Sequence, residues 1–175
     1  MPVIAWSRWA VAIALTTIAF APVARAQGRY RLAIGVVGKT DPLVAEFRVC
    51  VPAETSDCGS WLVRMPTVDD PPVITTPTAT QQLLSPSGAD SLSIDGDAVT
   101  IRSLVPRSIP SRNSIREKDF MPRAIAVAPD SRYAFVLFEG ARGGSSVIDM
   151  IELKSMAVID TLVIRERPTG IALLR

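Results

Sequence analysis

The strongest constraint on this chain is a unit that begins again before the sequence ends. Residues 122–127 read Pro-Arg-Ala-Ile-Ala-Val, and 46 residues later 168–173 read Pro-Thr-Gly-Ile-Ala-Leu. A second pair of segments, Leu84-Ser85-Pro86-Ser87-Gly88 and Val127-Ala128-Pro129-Asp130-Ser131, lies 43 residues apart. Gly28-Arg29-Tyr30-Arg31-Leu32 echoes Ser131-Arg132-Tyr133-Ala134-Phe135. Pro86, Gly88, Pro129 and Asp130 therefore mark the turn of a repeat. A unit recurring every 40–50 residues or so is one supersecondary module that cannot bury its apolar surface alone, so copies have to stack.

The clearest copy resolves into four short strands. Ile125 and Val127, with small Ala126 between them, read as a first strand, and Pro129 to Arg132 as a turn in which proline presets φ. Tyr133 to Phe138 is apolar throughout, the mark of a strand covered on both faces. Gly140 to Ser145 is a Gly-rich turn, residues 147–151 form a third strand, and Ala157 to Ile164 an outer one. Four strands per unit at this period predict propeller blades. The fold class expected is all-β: a partial or incomplete β-propeller of four-stranded antiparallel blades. A ring usually needs at least about four blades. At most three fit here, so the chain is a truncated frame, an open partial ring, or a subunit that self-associates or lacks blades supplied elsewhere.

The first 26 residues stand apart. Arg8 precedes an uncharged apolar run from Trp9 to Phe20, and Ala24-Arg25-Ala26 supplies the small residues a signal peptidase requires, with cleavage before Gln27. The run is short for a membrane span of about 20 residues. A periplasmic or secreted protein with no stable membrane anchor after cleavage is expected. Arg8 and Arg25 leave with the signal, so the 19 basic residues become 17, equal to the 17 acids. The basic balance of the precursor is thus no argument for nucleic acid. Cys50 and Cys58 are the chain's two cysteines. In an oxidising compartment they favour a disulfide, which would staple the feet of a long hairpin loop, two buried thiols being the alternative.

Organisation follows in order: signal 1–26, an N-terminal hairpin unit 27–66 with the disulfide loop, a Pro/Thr-rich connector 67–78, a degenerate blade 79–121, a clear blade 122–167, and the first strand of a further blade 168–175. Within the degenerate blade, Asp95-Gly96 between alternating strands signals a hairpin whose primed turn takes positive φ at both central residues. Residues 105–121 read as an irregular basic loop carrying Arg107, Arg112, Arg116 and Lys118. They lack interleaved aromatics to stack on bases, and Glu117 and Asp119 dilute the charge.

Chemistry is scarce. The chain has no histidine, which removes Ser-His and Cys-His nucleophile pairs and histidine-ligated metals. Zinc is disfavoured for want of further cysteines. Asp95-Gly96-Asp97 lacks the later ligands of a calcium loop. Residues 140–146 are Gly-rich but lack the Lys-Ser/Thr ending of a P-loop. No catalytic residue, cofactor or metal site is assigned.

The motif over residues 121–174 resembles the YVTN-type β-propeller repeat. Pro122, Ile125-Ala126, Pro129-Asp130, Arg132-Tyr133, Phe135-Val136 and Val147-Ile148-Asp149 match it. Ser131 stands where glycine is usual, and Phe135-Val136-Leu137-Phe138 replaces the name-giving tetrapeptide. The resemblance implies an exported propeller that binds a protein or small-molecule ligand through blade loops. The function expected is a non-enzymatic binding module, the alternatives being a fragment of a lactonase- or quinoprotein-dehydrogenase-like propeller and a β-sandwich adhesion-type domain.

Overall fold

A computed structural model describes residues 28–49, 58–63, 82–106, 112–141 and 144–174. Ala24, Ala26, Gln27, Cys50, the connector 67–78 and Arg107 lie outside the described residues. Short β-branched runs punctuated by Gly, Pro and Asp give strands here and, among the described residues, no helix. In order these are β1 (Gly28–Val36), β2 (Leu43–Val49), β3 (Gly59–Val63), β4 (Gln82–Leu84), β5 (Asp90–Asp95), β6 (Ala98–Ser103), β7 (Arg112–Ile115), β8 (Phe120–Val127), β9 (Tyr133–Gly140), β10 (Ser146–Glu152), β11 (Ala157–Ile164) and β12 (Pro168–Leu174). They form three four-stranded antiparallel sheets, none of them closed on itself: the N-terminal sheet β12-β1-β2-β3, the second sheet β4-β5-β6-β7 and the middle sheet β8-β9-β10-β11.

The middle sheet is apolar on both faces because β9 does not alternate. Tyr133, Phe135 and Leu137 join Leu32, Ile34 and Phe47 of the N-terminal sheet in one core. Ala134, Val136 and Phe138 join Leu92, Val99 and Ile101 of the second sheet in another. Phe135 meets Phe47 with ring centroids 5.1 Å apart and Tyr30 at 5.7 Å. Each such aromatic stabilises by about 1.5–3 kcal/mol through area alone. The uninterrupted run of residues 133–138 thus dictates that sheets lie on both sides of the middle one.

The N-terminal sheet is completed from the far end of the chain. β12 pairs antiparallel with β1, Ile171 opposite Ile34 and Ala172 opposite Ala33. The strand expected to open a further unit supplies instead the edge of the first one. The physical reason is backbone saturation: Leu32, Ala33 and Ile34 are fully buried, and their outer N–H and C=O groups need a partner strand. Ile125 and Ile171 therefore sit in two different sheets that pack on one another, β8 against β12.

The repeat turns share their hydrogen bonds. Gly88 N–H donates to the Ser85 carbonyl at 2.7 Å, and 43 residues on Ser131 N–H donates to that of Ala128 at 2.9 Å. Ser85 N–H to the Asp90 carbonyl is matched by Ala128 N–H to that of Tyr133, and Leu104 N–H to Ala89 by Leu153 N–H to Arg132. Gly88 and Ser131 take φ values of +69° and +57°. Serine is tolerated in this left-handed position because its Oγ accepts the Ser87 N–H at 2.8 Å, tying the two turns together.

Two local expectations are corrected. The Asp95-Gly96-Asp97-Ala98 hairpin has positive φ at Gly96 (+63°) and not at Asp97, so it follows the II′ pattern with glycine first rather than the doubly positive one. Within the basic segment expected to be irregular, Arg112–Ile115 pairs with β6 as strand β7. One buried residue, Ile115, and the Asn113 amide donating to the Met156 carbonyl at 2.7 Å hold this edge against the middle sheet. Four residues with one apolar contact carry too little alternation to be read as a strand.

Candidate functional site

The most organised polar feature lies on the face of the N-terminal sheet turned away from the middle sheet. Strand alternation builds it. Leu32 and Ile34 point into the core, so Arg29 and Arg31 point out, and on β2 Phe47 points in while Glu46 and Arg48 point out. Antiparallel register then sets Glu46 directly between Arg31 on β1 and Trp61 on β3, with Arg29 opposite Arg48.

Glu46 is only 1% exposed, covered by three guanidinium groups. Arg29 Nη2 donates to Oε2 at 2.6 Å, Arg31 Nε to the same oxygen at 3.2 Å, and Arg48 Nε to Oε1 at 3.0 Å. The Arg29 hydrogen bond, reinforced by those from Arg31 and Arg48, outweighs burial and holds the Glu46 carboxyl down at about 2. The Arg48 guanidinium also lies over the Trp61 ring, 4.8 Å from its centroid. Three cations around one anion leave a net charge of +2 on a flat patch. The Arg29 and Arg31 side chains remain about half exposed.

A second organised carboxyl is buried in the middle sheet. Asp149 is fully buried; its Oδ1 accepts the Thr161 hydroxyl at 2.7 Å, and Oδ2 accepts from no donor among the described residues, the neighbouring group being the Glu117 carboxyl. Burial pushes its pKa up to about 6, the Thr161 bond opposing and the nearby Glu117 charge adding to the rise. One unpartnered oxygen beside one further carboxylate is short of a metal shell, and no group of three ligating side chains occurs among the described residues.

The residues singled out in the sequence fall elsewhere. Pro86, Gly88, Pro129 and Asp130 shape the two repeat turns. Asp130 does more: its carboxylate accepts the Arg132 N–H at 3.0 Å and the Tyr30 hydroxyl at 2.7 Å, joining the middle and N-terminal sheets. Burial, and then this bond, raise the Tyr30 pKa well above the ordinary phenol value. Cys58 is described and is not a free thiol, while its expected partner Cys50 lies outside the described residues. Of the Gly-rich segment, Gly140 ends β9 and Ser146 opens β10, and a cavity of about 400 Å3 is lined by Asp119, Phe120, Gly140 and Ser145 among others. Arg116 makes an exposed pair with Asp97 at 3.5 Å, worth little.

Sequence reading missed the arginine face. Its signal was present as two period-two pairs, Arg29/Arg31 and Glu46/Arg48, each flanked by inward apolar residues. What was missing was the register that sets one pair beside the other. These features define an all-β protein whose described residues form three stacked sheets, with an ordered arginine cluster on an outer face. No family model matches the chain, and neither a curated protein nor a solved structure matches it.

Proposed function

We propose that this protein is an exported, non-enzymatic partial β-propeller of the YVTN repeat type that works as a binding module. The observation that carries the reading is the repetition, 43 residues apart, of the same turn hydrogen bonds in two adjacent four-stranded sheets. Blade repeats do this, because each copy solves the same chain reversal with the same residues. The polar outward face of the second sheet adds support: Ser93, Thr100, Arg102 and Ser114 point away from the core, which suits a terminal repeat of an open stack. On the N-terminal sheet the arginine cluster shares its face with buried Ala33 and Val44. A Cys50–Cys58 disulfide, formed after removal of residues 1–26, belongs to the same proposal.

A crystal structure of residues 27–175 tests it. Three sheets rotated about one axis with β4, β8 and β12 innermost are expected, and sheets stacked without a common axis refute the propeller. Amino-terminal sequencing of protein from the exported fraction should begin at Gln27. A lactone-hydrolysis screen should stay at blank, and turnover above it would overturn the non-enzymatic reading.

A further inference from the structure

The arginine face is overbuilt for a structural cap. A single arginine would neutralise Glu46, and the two further guanidiniums repel that arginine and one another. That repulsion is tolerated because the buried carboxylate pins all three in place: each gives one N–H to Glu46 and keeps its remaining donors for something else. Arg48 is further held in plane by Trp61. The result is a set of pre-ordered donors with a surplus of two positive charges, the arrangement that receives tetrahedral oxyanions in forked geometry.

The patch sits on a sheet surface, with no walls formed by the arginines themselves, and Arg29 and Arg31 are 53% and 50% exposed. A small ion on such a surface would be largely screened by solvent. A polymer presenting several oxyanions gains by multiplicity what each loses to solvent. Among the described residues the aromatic side chain alongside the charge is Trp61, already beneath Arg48, so the bases of a single strand have no stacking platform there. We propose that Arg29, Arg31 and Arg48, ordered by Glu46, form a binding face for a polysaccharide carrying sulfate or phosphate esters. This rests on the binding-module reading but not on how the three sheets are arranged.

Trp61 is the one tryptophan in residues 27–175, so its fluorescence reports on this face directly. The purified 27–175 chain is titrated with dextran sulfate, with unmodified dextran, inorganic sulfate, duplex DNA and anionic lipid vesicles as parallel arms. Dextran sulfate should shift the Trp61 signal, with Kd weakening about 30-fold between about 50 and about 300 mM salt for a net release of about two counterions. Unmodified dextran and inorganic sulfate should give no saturable change. The double variant R29Q/R31Q, shown to be folded by circular dichroism, should lose at least about ten-fold in affinity, as expected for two charge-assisted contacts. Arg123→Gln, which removes an exposed arginine from the Glu139 pair, should bind as the parent does. Equal binding by R29Q/R31Q, or equally tight binding of DNA or vesicles, overturns the assignment. Absence of any response to dextran sulfate at low salt overturns it too, leaving the crystallographic test of the propeller untouched.

Discussion

Asp149→Asn should make the protein more stable at neutral pH and leave it unchanged in acid. The side chain is fully buried, one oxygen is held by Thr161 and the other accepts from no donor among the described residues and lies beside the Glu117 carboxyl. In the unfolded chain the carboxyl ionises near 3.8, whereas in the fold burial and the Glu117 charge delay this to about 6. The folded state therefore binds the proton more tightly. Below about pH 3.8 the group is neutral in both states and carries no penalty. Stability then falls as pH rises towards about 6 and stays low above it. The difference of roughly two pH units corresponds to about 3 kcal/mol. Asparagine keeps the oxygen that accepts Thr161, and its amide can donate towards Glu117, so the variant avoids the loss. For a chain of this size each kcal/mol moves Tm by about 2–4 °C, so the expected gain at pH 7.5 is about 6–12 °C. Thermal melts of both proteins at pH 4, 5, 6 and 7.5 measure it, and taking the difference cancels the titrating groups that do not interact with Asp149, leaving Asp149 together with its neighbour Glu117. Curves that stay parallel across this range would refute the argument, showing that Asp149 is ionised at little cost.

Other consequences follow from the packing. Glu46 is depressed to about 2, so its pairing stabilises the fold above about pH 4.5 and is lost as pH falls towards 2; with its partners half exposed, screening cuts this to about 1–2 kcal/mol. Glu46→Gln should accordingly flatten the acid limb of the denaturation curve followed by circular dichroism, and an unchanged limb would contradict the cluster. Phe135→Ala should cost about 3–5 kcal/mol in urea melts, because the ring fills the core between the N-terminal and middle sheets, and a cost under about 1 kcal/mol would mean the two sheets do not pack through it. At position 131, glycine should be close to the parent, trading the Ser87 bond for relief of the φ of +57°, while alanine loses the bond and keeps the strain, leaving it about 1 kcal/mol below both. Equal stability of the alanine and glycine variants would remove that explanation for serine in the turn.

How much of this was legible in the sequence depends on whether a feature is local. The run Tyr133–Phe138 required a strand covered on both sides, and the structure places sheets there. Pro86-Ser87-Gly88 and Pro129-Asp130-Ser131 required chain reversals, and both occur with matching bonds. These follow from short-range sterics and from the period of side-chain burial, which any few consecutive residues carry. Strand β7 escaped because three of its four residues are exposed, so nothing in their pattern distinguishes them from a loop. The pairing of β12 with β1 joins residues more than a hundred positions apart, and no local pattern specifies which of several apolar strands an open sheet edge will accept. The arginine cluster lies one step further on. Alternation alone determined that Arg29, Arg31, Glu46 and Arg48 face outward, but only the register between β1, β2 and β3 placed the carboxylate among the cations and Trp61 beneath one of them. Direction is a property of a single strand, whereas adjacency is a property of the folded sheet.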